Sequence, residues 1–360
     1  MKLPVSLRRA VQRMRAYHPP LEGRAGKLRL DFNENTMGCS PAARRSLARL
    51  AREQVAMYPE YEAVRRRLAR HFGVAPEELL LTNGTDDALR LVVDAFVEPG
   101  SSILLVEPTF AMYRFYAELA GACVVALRYD DAMRFPLEKV LQALRGARGR
   151  ANGVPRVFFL ANPDSPTGSL LAPRELRRIL RAAARAIVVV DEAYFEFSGV
   201  TVLGWIRRHR NLVVTRTFSK AAGLAGLRIG CLFANSALAG ALRKAHSPYS
   251  VNTAALVAAV AAARDAGFVR RYAREVERSR RELAAVLGRL GVRFFPSAGN
   301  FILVDFGARA PGLREALCRR GILLRDRRSD FGRVGYVRIT VGTRAQTRRL
   351  VRALKETWLR

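Results

Sequence analysis

A single lysine, Lys220, stands in the stretch from Val213 to Gly230 among small residues, two hydroxyls (Thr217 and Ser219) and a later arginine, Arg228. The apolar, β-branched run from Leu212 to Thr215 reads as a buried strand, so the lysine emerges in the polar turn that follows it. A lysine placed there can lose water and part of its charge stability, and an amine of lowered pKa is what a Schiff-base nucleophile needs. Thr217, Ser219 and Arg228 are the residue types that hold a phosphate beside it. Taken alone, a surface lysine in an arginine-rich chain is the plainer reading.

Three other places carry chemistry of their own. Ala186 to Val190 is an apolar run that ends in Asp191, a carboxylate at the C-terminal edge of a buried strand, where open α/β sheets place ligands. An acid there is costly unless it meets a cation; a helix cap is the alternative. Asn83-Gly84-Thr85-Asp86-Asp87 forms a turn into a helix over Ala88 to Phe96. Its glycine lets backbone approach an anion, and the helix start points N–H groups at it, although an ordinary glycine turn with an Asp cap would read the same. Arg338, between apolar β residues in Tyr336 to Thr343, needs an anionic partner, either a ligand or an internal carboxylate.

The elements that position these groups follow from the pattern. Residues 2–16 suggest a short basic amphipathic helix, and Leu28 to Phe32 a strand entering a polar turn. Val64, Leu68 and Phe72 fall at helical spacing after Met57-Tyr58-Pro59. Strands over Leu79–Thr82, Ser102–Glu107, Val157–Leu160, Ala186–Val190 and Leu212–Thr215 alternate with helices, so the sheet should be mainly parallel. A long alanine-rich helical stretch after Asn252 continues to Leu290, and strands near Phe301, Ile322 and Val337 open a smaller α+β lobe.

Composition sets the bounds. The 360 residues are 50% apolar and 26% charged, enough for two lobes with a large core. No apolar run reaches the ~20 residues that span a bilayer, and the basic N-terminal segment lacks the apolar centre of a secretory signal. Cys39, Cys123, Cys231 and Cys318 are scattered without a C-x-x-C pair, which argues against both a zinc site and a disulfide framework and fits a reducing cytoplasm. The net charge of +31 raises the question of a nucleic-acid partner. The arginines, however, are spread over every helical stretch and not gathered in one arm, so solvated helix faces account for them better.

The Lys220 segment (R-T-F-S-K-A-A-G-L-A-G-L-R-I-G, Arg216 to Gly230), D-E-A-Y at Asp191 to Tyr194, and R-I-T-V-G-T at Arg338 to Thr343 resemble class I/II aminotransferases, the fold-type I enzymes that use pyridoxal 5′-phosphate (PLP). N-E-N at Asn33 to Asn35 brings the histidinol-phosphate aminotransferases closest. The resemblance runs from Asn33 to Thr343, with its motifs in the family's order. It implies a large PLP-binding domain (48–253) with a mainly parallel seven-stranded sheet, and a small domain from residues 254–360 to which 1–47 contributes. It implies that Lys220 carries PLP, that Asp191 pairs with the pyridine nitrogen, and that Tyr194 binds the phenolate oxygen. Gly84, Thr85, Asp86, Thr217, Ser219 and Arg228 would hold the phosphate, with Tyr58 reaching in from a second subunit of a homodimer. Phe110 would stack on the ring, where the family usually has tyrosine. In Ala161-Asn162-Pro163-Asp164-Ser165-Pro166-Thr167-Gly168, Ser165 replaces the asparagine that normally bonds the phenolate oxygen. Tyr17, Asn33, Arg325 and Arg338 would grip the substrate.

The function so implied is amino transfer from histidinol phosphate to 2-oxoglutarate in histidine biosynthesis. An aromatic amino acid or threonine phosphate as substrate, or a basic nucleic-acid-binding protein on the same fold, are the alternatives.

Overall fold

The computed structural model describes residues 5–16, 18–146 and 153–358. Its twelve strands are β1 (Leu28–Leu30), β2 (Leu79–Thr82), β3 (Ser102–Glu107), β4 (Cys123–Arg128), β5 (Val157–Ala161), β6 (Ile187–Asp191), β7 (Leu212–Thr217), β8 (Gly230–Phe233), β9 (Arg293–Phe295), β10 (Phe301–Asp305), β11 (Ile322–Asp326) and β12 (Tyr336–Thr340). They form two sheets. Seven strands make the first, in the order β2-β8-β7-β6-β5-β3-β4, and five make the second, in the order β1-β11-β12-β10-β9.

In the large sheet only β8 runs against its neighbours, pairing antiparallel with both β2 and β7. The remaining pairs are parallel. Parallel strands covered on both faces should read as unbroken apolar runs, and these do. Leu79, Phe158, Val188, Val190 and Val214 pack on one face with helices Tyr61–Phe72 and Thr253–Arg264. Leu80, Phe159, Val189 and Val213 pack on the other, with helices Gly84–Phe96 and Ala111–Leu119. The period-2 alternation of side chains thus feeds two cores at once. The small sheet is antiparallel except where β1 joins β11 in parallel. Its core packs against helices Ala266–Arg289, Ala310–Arg319 and Arg344–Trp358.

Strand direction explains the site. Because β5, β6 and β7 run parallel, Ala161, Asp191 and Thr215 lie in register at one edge. Two antiparallel steps bring the end of β2 back to the same edge, where Thr82 and Thr217 both face Gly230. This carboxyl edge collects all the large-sheet motifs.

Three local readings change. The helix after β2 begins at Gly84, not Ala88, because Asp87 accepts the Asn83 N–H and closes the first turn. Among described residues the N-terminal helix is only Arg9–Arg13 and buries none of its side chains, so no packing extends it. The long stretch after Asn252 is two helices, broken at Asp265, whose carboxylate caps the second by accepting the Phe268 N–H. No helix among the described residues is long and apolar enough to cross a membrane.

Candidate functional site

One cavity opens at the carboxyl edge of the large sheet, and the small sheet supplies its far wall. Thr85, Asp86, Phe110, Ser165, Asp191, Tyr194, Thr217, Ser219, Lys220, Arg228, Arg325 and Arg338 all line it.

Asp191 ends β6 and is buried. Its Oδ2 accepts from Tyr113 Oη at 2.9 Å, and its Oδ1 accepts the Ala193 N–H at 3.1 Å. Among the described residues no cation pairs with it. Burial therefore dominates and pushes the carboxyl up to about 6, against the hydrogen bonds that favour its charged form. A carboxylate so placed is completed by a cation in the cavity.

The other end is built for an anion. Gly84 has φ +76°, and a Cβ there would meet Arg228 Nη2 at 2.6 Å, so the glycine lets the guanidinium lie against the helix start. Gly230 is equally tight: a Cβ would stand 2.8 Å from Thr85 N. Arg228 itself sits in the left-handed region (φ 51°), a strained backbone that its contacts hold in place. It bonds Asp86 Oδ2 at 2.9 Å and Ser219 Oγ at 3.4 Å. Burial raises the Asp86 carboxyl, and Arg228 pulls the other way. Thr217 Oγ1 accepts the Ser219 N–H at 3.0 Å, which orients the hydroxyl turn.

Between the two ends stand Lys220 and Tyr194. Lys220 Nζ donates to the Phe32 carbonyl at 2.9 Å, which ties it to the chain just after β1. Tyr194 Oη accepts from Asn33 Nδ2 at 2.9 Å, so its own proton remains available to the cavity. Asn33 departs from its expected place. It is fully buried, has φ 56°, and does not line the cavity; its carboxamide is spent on Tyr194 and Thr340. It positions Tyr194.

Phe110, 37% exposed, stands edge-on to Tyr113 with ring centroids 5.6 Å apart. Ser165 Oγ accepts from Arg338 Nη1 at 2.9 Å, leaving one hydroxyl proton to donate. Arg338 Nη2 also bonds the Asp31 carbonyl at 2.6 Å, and among described residues it has no carboxylate partner. Burial first, then the neighbouring Arg327, pulls its pKa down to about 10. The carboxylate alternative for Arg338 is thus not what the structure holds. Tyr58 is 82% exposed, its ring tilted against that of Tyr249 with centroids 4.9 Å apart, and it does not line its own chain's cavity. Tyr17 lies outside the described residues.

Several residues escaped sequence reasoning. Phe32, Tyr113 and Arg327 also line the cavity. Asp164, buried and pushed up to about 6, accepts from Thr109 Oγ1 (2.5 Å) and Thr167 Oγ1 (2.7 Å), clamping the Phe110 loop to the Ser165 loop. The helical position of Tyr113 reads as core, and only the fold brings its hydroxyl to Asp191.

The arrangement offers a cation-seeking acid, an amine, a phenol and an anion cup within one cavity, with arginines opposite. A phosphorylated aromatic cation fits these groups. Among the described residues no His/Cys/Asp/Glu cluster could hold a metal.

Comparison with known proteins shows the family. The model of the family "Aminotransferase class I and II" matches residues 25–354. A histidinol-phosphate aminotransferase of Symbiobacterium thermophilum is 39% identical, over 97% of this chain and 98% of its own. Among solved structures, histidinol-phosphate aminotransferase from Sinorhizobium meliloti, in complex with pyridoxal-5′-phosphate, aligns with a TM-score of 0.84 at 26% identity, covering 98% of this chain and 97% of that one. L-threonine-O-3-phosphate decarboxylase from Porphyromonas gingivalis aligns with a TM-score of 0.77 at 25% identity, covering 92% and 100%.

Proposed function

From the premise that the chain belongs to the aminotransferase class I and II family and is a PLP-dependent aminotransferase, we propose that it moves the amino group of histidinol phosphate to 2-oxoglutarate, as a step of histidine biosynthesis. The observation that carries the cofactor assignment is Asp191, a buried carboxylate that has no cation partner among the described residues and lies in one cavity with Lys220.

Each group then has a task. Lys220 would hold PLP through its amine; Thr85, Asp86, Thr217, Ser219 and Arg228 would seat the phosphate; Asp191 would keep the pyridine nitrogen protonated. Bound there, PLP supplies an electron sink that acidifies the substrate Cα–H. Lys220 Nζ would take that proton and return it, as base and then acid. Tyr194 Oη and Ser165 Oγ would donate hydrogen bonds to the cofactor's phenolate oxygen, with Asn33 keeping Tyr194 aimed. Arg325 and Arg338 draw in the anionic end of the substrate. Phe110 and the Tyr113 ring behind it keep water from the ring face.

The working form is a homodimer. Tyr58, Met57, Val55 and Tyr249 are all exposed on one chain, and in the dimer Tyr58 of each copy reaches the other's phosphate seat.

The deciding measurement is an absorbance spectrum of the protein with PLP. We expect a visible band that collapses on adding histidinol phosphate and returns with 2-oxoglutarate; in Lys220→Ala, turnover should vanish. A band that responds only to phenylalanine or tyrosine moves the substrate, and CO2 release from threonine phosphate moves the reaction. Salt-dependent DNA binding without any band, or near wild-type turnover by Lys220→Ala, sinks the proposal.

A further inference from the structure

Arg325 and Arg338 face one another directly across the antiparallel pair β11–β12. Like charges in that position repel. Arg327, the first residue past the end of β11 and the cap of the short helix Arg328–Phe331, lines the same cavity. The intervening Asp326 faces away, accepting from Arg314 Nη1 at 3.1 Å and from Arg328 Nε at 2.7 Å. Three guanidinium groups therefore crowd one end of the cavity.

Arg327 is buried. One edge of its guanidinium pairs with Asp330, three residues on, which anchors the side chain. Among the described residues its buried Nε has no hydrogen-bond partner, and neither has the Nε of Arg338. Arg327 lies close enough to Arg338 to weaken that residue's hold on its proton, and close enough to Asp164 to strengthen that acid. Two buried, unbonded N–H donors on adjacent guanidinium groups make an incomplete cradle.

A carboxylate brings one charge and two oxygens, which a single arginine fork satisfies. A phosphomonoester brings close to two charges and three terminal oxygens. Resting on the reading of the substrate given above, we propose that Arg327 is a specificity-determining residue: with Arg325 and Arg338 it forms a three-arginine cradle that selects a phosphomonoester end over a carboxylate.

The test compares donors on the PLP-loaded protein. Arg327→Gln should lower kcat/KM for histidinol phosphate by roughly 10- to 100-fold, mostly through KM, and the loss on an aromatic amino acid should be at least about tenfold smaller. Arg327→Lys, which keeps the charge but not the fork, should recover part of the loss. Titration calorimetry of the same loaded proteins with inorganic phosphate should show weaker binding in Arg327→Gln by a similar factor. Equal losses on both donors, or unaltered phosphate binding, overturn the assignment. If the wild-type protein ignores histidinol phosphate, the substrate reading falls. The calorimetric comparison still decides the role of Arg327.

Discussion

Two arginines are buried to nearly the same degree, Arg216 at 7% exposed and Arg338 at 8%, and they live in opposite circumstances. Arg216, on β7 of the large sheet, donates from Nε to Glu192 Oε2 at 2.9 Å and from Nη2 to Thr201 Oγ1 at 2.7 Å. Its guanidinium lies 3.6 Å over the Phe195 ring. Glu192 in turn accepts from Thr201 and from the Val202 N–H. Everything this arginine needs comes from its own chain. Arg338, on β12 of the small sheet, meets a hydroxyl and a carbonyl, while burial first and then Arg327 and Arg325 push its pKa down. Proteins bury charges either paired or in wait of something. The first region is framework and the second is a receptor.

The contrast can be broken by experiment. Glu192→Ala should cost the most, about 3–5 kcal/mol of stability in denaturant titrations, because it strands the Arg216 charge. A loss under about 1 kcal/mol would mean that the pair is not the structural element described. The next largest effect is on pH dependence. Asp191 and Asp164 both have folded values of about 6 against an ordinary 3.8. Each then contributes stability that is complete below about pH 4 and lost as pH rises through 6, at most about 3 kcal/mol apiece. Cofactor-free protein should therefore weaken between pH 4 and 7. Asp191→Asn should remove one share, and loading PLP should cancel the same share while leaving that of Asp164. Arg338→Gln should lower kcat/KM by about 2–3 kcal/mol, roughly 30- to 150-fold, yet leave stability equal or raised. If Arg338→Gln unfolded the protein as Glu192→Ala does, the distinction would be lost. Smallest is Tyr113→Phe, which removes one hydrogen bond to Asp191. It should raise that carboxyl further and cost about 1 kcal/mol in activity, seen as a shift of the acid limb of the pH profile to higher pH.

Much of this was legible from sequence because strand ends advertise themselves. An apolar run closing on Asp191, or on Thr217 with Lys220 beyond it, states both burial and exit point, and parallel order does the rest. Arg327 was illegible because it sits in an arginine run beside Asp326, and nothing local shows that Asp326 serves Arg314 and Arg328 instead. Tyr113 was hidden for a similar reason, since it lies on a helix that reads as core. Asn33 itself was seen but misplaced, since composition cannot say whether a carboxamide faces a ligand or a tyrosine hydroxyl. Contacts set by tertiary approach are the ones sequence pattern misses.

The tie between Asn33 and Thr340 spans 307 residues, and among the described residues β1 pairs with β11 alone. During synthesis β1 must wait for its partner until residues 322–326 have left the ribosome. Closing so long a loop adds little to the equilibrium cost, which grows only with the logarithm of length, but it comes late in time. The half-site at the large sheet can thus form first, and competence arrives with the last strands made. A chain that stops short of Arg338 would keep its Lys220 turn and have nothing opposite it to hold a substrate.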